Sequence, residues 1–320
     1  MSYESEQLQQ MAMPTREQVA TALLRTLFRH GGVIKEFCDG ETIVEEIADG
    51  FGLSRPQREA RLKTIYQKEN RVKTVSLWHR LLFRSADMLA HERLVSRPTQ
   101  TLKLTKIREW MLTERGFDEA LRLCSVPIAK KDSLPIKSYE VQKIANKIMQ
   151  TPKPQNYDPI AQDKRHTETK RKSALRNRGF RQAVIESYCF TCAVCGLKIS
   201  SPDLLFWEVE AAHIVPNYLL GRDDIWNGIA LCRLHHWAFD VGWFTVLDDY
   251  RIKISEELNH LPADFGKIGG YNFIRAFASE RRVILLPKQE STYPDRNAIR
   301  WHRQNVFQQR SARAALPSAK

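Results

Sequence analysis

The stretch ALCRLHHWAFD, residues 230–240, brings a cysteine, two adjacent histidines and an aspartate close together in the chain. Cys232 lies three residues before His235, and His236 follows directly. Neighbouring residues on a helix point about 100° apart, so the two imidazole rings cannot easily serve one site. The stretch therefore predicts two adjacent sites, each of which uses one histidine.

The cysteine spacing predicts a structural zinc site. Cys192 and Cys195 form one CxxC pair, and Cys232 and His235 repeat the same spacing further along the chain. Two such pairs supply the four tetrahedral ligands that structural Zn²⁺ takes. Cys189 precedes Cys192 by three residues, which leaves a shifted register as an alternative. The glycine after Cys195 suits the tight turn of a zinc knuckle and favours the unshifted pair.

The second imidazole, that of His236, is then free for another site. The segment WEVEAAHIVP, residues 207–216, predicts a strand with His213 at its end. The segment RDDIWNGIALC, residues 222–232, places Asn227 in an Asn-Gly turn dipeptide before an apolar strand that enters the zinc site. The chain thus offers, in order, a strand, a loop, a second strand and a helix, with a histidine on the first and the last.

The segments EAAHIVP, NGIALC and HHWAFD resemble the HNH endonuclease family, and the similarity extends over residues 170–310. The resemblance implies a β-hairpin and a helix that grip one catalytic metal ion. It also implies that His213, Asn227 and His236 are the catalytic motif residues.

This sequence departs from the family pattern directly before His213. Many family members carry an acidic metal ligand there, whereas this chain has Ala212. The resemblance leaves two alternatives for the protein ligands of Mg²⁺ or Mn²⁺. One is Glu210 on the same strand, and the other is His236 together with Asp240, one helical turn further on.

The residue types fit phosphodiester hydrolysis. An imidazole, whose ordinary pKa is about 6.5, can take a proton from water at neutral pH. A Mg²⁺-like ion keeps several waters and needs few protein ligands. A zinc ion with four protein ligands has no open position, so its predicted role is to hold the small domain together. Asn227 is expected to orient the loop of His213 through hydrogen bonds.

Several aromatic side chains of this region are expected to pack in the core of the domain rather than to bind a substrate. His302, which has aromatic and basic neighbours in the chain, is expected to pack there as well. The aromatic residues are Trp226, Trp237, Phe239, Trp243 and Phe244.

Residues 14–122 predict a mainly helical winged helix-turn-helix domain. Apolar residues repeat at helical spacing, and Ser54 is expected to cap a helix that reaches Tyr66. A longer helix follows, and ERLVS and TLKLT predict the two strands of a wing. The segments ETIVEEIADGFGLS and SLWHRLLFRSADMLAHERLV resemble the N-terminal winged-helix domain of Mrr-type restriction endonucleases.

If the longer helix enters a DNA groove, its outward residues approach the bases while the wing lies near the phosphates. The residues expected to bind DNA in this way are His79, Arg80, Arg84, Arg97 and Lys103.

The chain carries a formal net charge of +13, which favours a polyanionic partner. Its densest basic run is KRHTETKRKSALRNRGFR, residues 164–181, directly before the cysteines. Within this run, Arg176, Arg178 and Arg181 are expected to contact phosphates.

The sequence thus predicts an α+β protein in three parts. Residues 14–122 form the winged-helix domain, residues 123–172 connect, and residues 173–310 form a zinc-stapled ββα-metal (HNH) domain. The predicted function is metal-dependent cleavage of double-stranded DNA, in restriction of foreign and modified DNA. Two alternatives stay open: a non-catalytic DNA-binding regulator, in which the zinc domain is only a scaffold, and an RNA nuclease.

The expected location is the cytoplasm. No apolar run approaches the length of a membrane span, and the N-terminus does not resemble a secretion signal. A double-strand break needs two cuts, so a homodimer is a reasonable expectation.

Overall fold

The chain is a mixed α and β protein. Its computed structural model describes residues 3–37, 41–66, 71–161, 170–260, 264, 267–268, 270–272 and 283–309. The chain divides into two compact units, Met1–Gln142 and Lys143–Lys320, and each unit has a hydrophobic core of its own. Among the described residues, no helix is both long enough and apolar enough to cross a membrane.

The N-terminal unit is mainly helical. Its helices are α1 (Tyr3–Gln10), α2 (Arg16–Arg29), α3 (Thr42–Gly50), α4 (Arg55–Glu59), α5 (Leu77–His91), α6 (Pro98–Thr105) and α7 (Glu114–Leu123). Its strands are β1 (Val33–Lys35), β2 (Arg61–Tyr66), β3 (Arg71–Ser76), β4 (Val95–Ser96) and β5 (Glu109–Leu112). Strands β2 and β3 form an antiparallel hairpin, and the other three form an antiparallel sheet in the order β1–β5–β4.

The core of this unit lies where α2 and α5 pack together beside the three-stranded sheet. Helix α2 begins at Thr15, whose side chain and that of Gln18 form a capping box. Trp78 of α5 is buried, and its indole N–H donates to the Val44 carbonyl over 3.2 Å. The apolar stripes of both helices therefore face one interior.

Two local predictions for this unit are wrong. The helix after Ser54 ends at Glu59, and the chain continues as β2, because RLKTIY and RVKTVS are rich in β-branched residues that suit a two-stranded ribbon. The segment TLKLT lies in α6 and is not a strand of a wing. Pro98 stands in the first turn of α6, and the Arg97 N–H donates to the Gln100 side chain over 2.9 Å, so a capped helix start outweighs the alternation of leucines.

Helix α8 (Tyr139–Gln150) begins in the N-terminal unit and ends in the C-terminal one. The other helices of the C-terminal unit are α9 (Lys170–Ser187), α10 (Arg233–Asp240) and α11 (Arg296–His302). Its strands are β6 (Val209–His213), β7 (Gly228–Cys232), β8 (Phe244–Val246), β9 (Ile252–Ile254), β10 (Lys267–Ile268) and β11 (Tyr271–Asn272). These strands pair as three antiparallel hairpins, β6–β7, β8–β9 and β10–β11.

The β6–β7 hairpin lies at the centre of the C-terminal unit. His213, the last residue of β6, pairs with Gly228, the first residue of β7. A Cβ at Gly228 would lie 2.3 Å from Cγ2 of Val184 and 3.1 Å from the ring of Phe180, both on α9. Glycine at this position therefore allows α9 to approach the hairpin closely.

The segment predicted to connect the domains is largely structured. It contains α8, and the proline-rich stretch that follows packs on the C-terminal unit. Tyr157 is buried and contacts Trp226 edge-on, with ring centroids 5.3 Å apart. Ile160 forms a β-bridge with Gly221. Tyr157 and Ile160 thus anchor this segment to the C-terminal unit.

Helix α11 closes the core beside β8 and α10. The His302 ring is 2% exposed and lies parallel to the Phe239 ring, with centroids 3.6 Å apart. Its Nε2 donates to the Phe239 carbonyl over 3.0 Å, because a carbonyl can only accept, and its Nδ1 therefore accepts from the Thr245 hydroxyl over 3.0 Å. Burial lowers the pKa of His302 to about 4.

Candidate active site and metal centre

Four side chains from three parts of the C-terminal unit meet in one cluster. Cys192 and Cys195 lie in the turn after α9, Cys232 ends β7, and His235 lies in the first turn of α10. One ligand atom from each lies within 4.8 Å of the others. Within the part of the chain that the structure describes, this is the one group of three or more cysteine, histidine or acidic side chains assembled so closely, and Cys189 is not part of it.

The local backbone explains how the cluster forms. Gly196 has a φ of 75°, and its N–H donates to the Cys192 carbonyl over 2.9 Å, which closes the knuckle turn. The Ala193 N–H donates to the Ala230 carbonyl over 2.8 Å and fastens this turn to β7. Because β7 runs directly into α10, His235 is brought back against the knuckle.

The donor set fits Zn²⁺. The Sγ atoms of Cys195 and Cys232 are 4.0 Å apart, and Nδ1 of His235 lies 3.0 Å from Sγ of Cys232 and 3.7 Å from Sγ of Cys192. Tetrahedral Zn–S bonds of about 2.3 Å place two sulfur ligands about 3.8 Å apart. Hydrogen bonds from Cys195 and Cys232 lower the pKa of the Cys192 thiol, which favours the thiolate that a metal requires. Soft thiolates with an imidazole are typical of zinc sites.

His213 stands where β6 gives way to the loop before β7. Its ring is stacked on Phe180 of α9, with centroids 4.0 Å apart and planes inclined by 20°. Its Nε2 lies 2.8 Å from Oδ1 of Asp223. The side chain is 20% exposed. The ring is therefore held in one orientation while part of it stays accessible to a substrate.

Asp223 is a partner of His213 that the sequence analysis missed. Its carboxylate also accepts from the Asn217 side chain over 2.9 Å and pairs with Arg176 over 2.5 Å. Burial raises the pKa of Asp223, but the hydrogen bonds of His213 and Arg176 outweigh burial and hold that pKa at about 2. The signal in the sequence is an acidic residue four positions before Asn227, in RDDIWNG.

Asn227 is completely buried and is bonded to the main chain of the loop that precedes it. Its Oδ1 accepts from the Val215 N–H over 2.8 Å, and its Nδ2 donates to the carbonyls of Val215 and Arg222 over 3.0 and 2.9 Å. Its own carbonyl accepts from the Ile214 N–H over 2.9 Å. A buried amide with these partners fixes both ends of the loop that follows His213.

His236 occupies the position on α10 next to the cysteine and histidine cluster, and it faces other partners. Its Nδ1 lies 2.9 Å from Oε2 of Glu210, and its Nε2 lies 3.6 Å from Oδ2 of Asp240. Glu210 also lies 3.3 Å from Nε of Arg233. The structure thus brings together the three side chains that the sequence analysis considered for the catalytic metal.

Electrostatics connect this group to His213. Burial raises the pKa of Asp240, and the negative charge of Glu210 raises it further. The charges of His236 and His213 lower it. The charges of His213 and Asp240 therefore influence each other. Two carboxylates beside one imidazole form an anionic group of the kind that a divalent cation stabilises.

The three arginines expected to bind phosphate have different surroundings. Arg176 pairs with Asp223 and so belongs to the surroundings of His213. Arg178 is 7% exposed, so it is buried and not presented to a DNA backbone as the sequence analysis expected. Arg181 is exposed. The physical reason is that α9 packs on the hairpin, and a packed helix exposes only part of its circumference. Residues 164–169 of the same basic run lie outside the described residues.

In the N-terminal unit, acidic side chains pair with two of the five residues expected to bind DNA. Arg80 lies 2.7 Å from Glu4, and Arg97 lies 2.9 Å from Asp87. The other three, which are His79, Arg84 and Lys103, are at least partly exposed. Lys103 lies on α6 instead of on a wing strand.

Residues 192–247 match the family model described as HNH endonuclease. The HNH match begins at the first cysteine of the cluster and ends just after β8. It therefore contains His213, Asn227 and His236, with Glu210 and Asp240 beside them.

One solved structure similar to this chain is a "Modification dependent TagI restriction endonuclease", at 23% sequence identity and a TM-score of 0.29. The similarity covers 40% of this chain and 38% of that one, so the chain spans well under half the length of this relative. No curated protein matches the chain.

Proposed function

We propose that this chain is a DNA endonuclease whose HNH region hydrolyses the phosphodiester backbone. One observation carries the proposal. Within the matched region, an oriented imidazole, that of His213, lies near an anionic group made by His236, Glu210 and Asp240. A general base beside a site for a divalent cation is what phosphodiester hydrolysis requires.

His213 is the proposed general base. It takes the proton from the water that attacks phosphorus, and its fixed ring spares the reorientation that a free side chain would need. Stacking on Phe180 sets the plane of the ring, and Asn227 sets the loop behind it. Asn227 acts through the backbone, because its side chain is fully buried.

Asp240 and His236 are the proposed ligands of Mg²⁺ or Mn²⁺. An imidazole binds a metal through one nitrogen, and its second nitrogen is then oriented by a carboxylate. Glu210 already pairs with Arg233 over 3.3 Å, whereas the Asp240 carboxylate lies 3.6 Å from Nε2 of His236 and is 56% exposed, so it is open to a cation. We therefore assign Glu210 to orienting His236 through Nδ1. A cation bound here supplies positive charge for the scissile phosphate and the departing oxygen.

Zn²⁺ in the cysteine and histidine cluster is proposed to be structural. Three thiols and one imidazole fill a tetrahedral ion and leave no position for water or substrate. The cluster joins the knuckle, β7 and α10, so the ion would hold the helix of His236 against β7, the strand that pairs with the strand of His213.

The N-terminal unit is proposed to bind the DNA duplex as a winged helix-turn-helix domain. The alternation of helices with short strands, and a three-stranded antiparallel sheet beside α2 and α5, support this assignment. Arg84 on α5 and Lys103 on α6 are exposed and are the proposed phosphate contacts. Restriction of foreign DNA, with modified bases read by this unit, is the biological role that the family resemblance suggests.

Cleavage assays on the purified full-length chain test the proposal. Unmodified plasmid and phage DNA with modified bases are incubated with Mg²⁺, Mn²⁺ or EDTA. We expect metal-dependent cutting by the wild type, and rates lower by at least about 10²-fold for His213→Ala and His236→Ala with the zinc content unchanged. His260→Ala removes an exposed histidine of the same unit and is the matched control, with the wild-type rate expected.

Two other outcomes distinguish the alternatives. If no nucleic acid is cut and both histidine variants bind DNA as the wild type does, the chain is a regulator. If structured RNA is cut in preference to plasmid, it is an RNA nuclease. Sedimentation of the protein bound to a duplex that it cuts then shows whether the active form is the expected homodimer.

A further inference from the structure

The carboxylate of Asp223 is buried and surrounded by donors. Its Oδ1 lies 2.8 Å from Nε2 of His213 and 2.9 Å from Nδ2 of Asn217, and its Oδ2 accepts from Nε of Arg176 over 2.5 Å. With a pKa of about 2, the group is ionised at neutral pH and has no proton to donate. The ring nitrogen that faces it must therefore be the donor.

We infer that Asp223 is a positioning residue that holds His213 as the Nε2–H tautomer, so that Nδ1 carries the lone pair that takes the proton from water. This inference rests on the proposed function of His213. A neutral imidazole has one N–H and one acceptor nitrogen, so an acceptor at Nε2 determines the state of Nδ1. Stacking on Phe180 holds the His213 ring in one plane, so that Nε2 continues to face Asp223.

Arg176 binds the other oxygen of the Asp223 carboxylate and so helps to keep His213 as the Nε2–H tautomer. A guanidinium can only donate, so it requires an acceptor at Oδ2 and favours the ionised acid. Arg176 lies on α9, 47 positions before its partner, and α9 thus contributes to the site through an ion pair. Among the described residues, Asp223 contacts His213 directly, Arg176 pairs with that carboxylate, and Asp240 on α10 interacts with His213 through its charge.

The substitution Asp223→Asn gives a sharp test because it keeps the shape and changes the donors. Arg176 still requires an oxygen, so the new amide turns its NH₂ toward His213, while the exposed Asn217 side chain can turn its own amide. His213 must then accept at Nε2 and carry its proton on Nδ1. The base nitrogen loses its lone pair, and we expect the cleavage rate to fall by about 10² to 10⁴-fold.

A double variant separates this role from a merely structural one. In Arg176→Met with Asp223→Asn, the guanidinium no longer claims the oxygen, and the amide can turn it back toward His213. We expect this variant to cut about tenfold faster than Asp223→Asn alone. If Asp223 only stabilised the fold, the second substitution would add a further loss.

The ¹⁵N NMR signals of the ring nitrogens report the tautomer without any catalytic assay. The full-length chain labelled at its 9 histidines is compared with His213→Gln to assign the signal. We expect a protonated Nε2 in the wild type and a protonated Nδ1 in Asp223→Asn. Asp224→Asn is the matched control, because this neighbouring carboxylate pairs with Arg222 over 2.6 Å, and we expect it to keep the wild-type tautomer and rate.

The outcomes separate this inference from the function on which it rests. A wild-type ring protonated at Nδ1, or cleavage by Asp223→Asn at the wild-type rate, overturns the inference and leaves the nuclease proposal standing. Absence of cleavage by the wild type overturns the proposed function and the inference with it. The wild-type tautomer needs only the assignment variant His213→Gln and no change at Asp223, so the test stands even if Asp223→Asn prevents folding.

Discussion

Around the His236 imidazole, two carboxylates are proposed to have different tasks, and this difference is measurable one residue at a time. Asp240→Asn removes a proposed metal ligand, so we expect the Mg²⁺ concentration for half-maximal cleavage to rise by about tenfold or more. Glu210→Gln removes the orienting partner and is expected to lower the rate with a smaller change in the Mg²⁺ requirement. Titration of cleavage against Mg²⁺ decides, and a larger Mg²⁺ effect for Glu210→Gln would reverse the assignment.

Residues that are close in the chain were easier to predict than those that only the fold brings together. The CxxC spacing and the adjacent histidines pointed to two sites because short turns and helical rotation leave few alternatives. Asp223 was missed, and so was its pairing with Arg176, since the 47 positions between them carry no local pattern. Trp237 was expected in the core, yet it is 54% exposed. The other faces of α10 are directed to the core, to the cysteine and histidine cluster and to Glu210. The Trp237 side chain therefore lies on the outward face of the helix.

At the scale of elements, the approach of α9 to the β6–β7 hairpin depends on the absence of a side chain at Gly228. Gly228→Ala places a methyl group 2.3 Å from Val184, and we expect a loss of about 1–3 kcal/mol in the free energy of unfolding. The displaced helix also carries Phe180, so the cleavage rate should fall as well. Denaturant unfolding measures the first effect. The control is Gly50→Ala, where a Cβ meets nothing within 4 Å, and a loss of similar size there would contradict this account.

His302 joins α11 to α10 and β8, and it makes this junction sensitive to pH. Its pKa is about 4 in the folded chain, whereas an exposed imidazole has about 6.5. Its contribution to stability is complete above pH 6.5 and is lost as the pH falls from 6.5 toward 4, because only the unfolded chain takes up the proton there. The loss amounts to about 3 kcal/mol.

Urea unfolding at pH 7 and pH 5 tests this contribution. The free energy of unfolding should fall more steeply between these values for the wild type than for His302→Gln, which cannot titrate. Equal slopes would show that another group dominates.

Helices and strands were predicted well where apolar residues repeat with one period over many positions. They were predicted poorly where a short segment fits both the helical and the strand period. Helix α2, with its capping box and apolar stripe, lies in the region where apolar residues repeat at helical spacing. The wing was placed at TLKLT because leucines alternate there, while the start of α6 at Pro98 decided the outcome. The β2–β3 hairpin was missed because its first strand was assigned to the helix after Ser54, which in the structure ends at Glu59.

For the whole molecule, the two separate cores predict that zinc removal acts on one unit. A strong chelator should expose amides of the C-terminal unit to hydrogen exchange, while the core amides of the N-terminal unit stay protected. Exchange measured by mass spectrometry on the full chain tests this. Cys195→Ser should mimic chelation, and Cys189→Ser, outside the cluster, should retain the zinc and the protection. Uniform loss of protection across both units would contradict the prediction.

The division between the two compact units lies at Gln142 and Lys143, inside a segment that composition and motifs did not mark as a boundary. Residues 123–172 were expected to connect the domains because prolines and charges suggest an open segment. Tyr157 instead packs against Trp226, and α8 runs through the division at Gln142 and Lys143. A buried aromatic residue such as Tyr157 anchors such a segment, and the average composition of the segment does not reveal that contact.

Helix α10 has a further consequence for when this protein can work in a cell. His235 and His236 are consecutive, so the helix that completes the zinc cluster also sets the direction of the proposed magnesium ligand. A chain synthesised under zinc starvation would lack the clamp that fixes this rotation, and it would remain inactive even where magnesium is abundant. The proposed DNA cleavage would therefore depend on the zinc supply of the cell as well as on the arrival of a target.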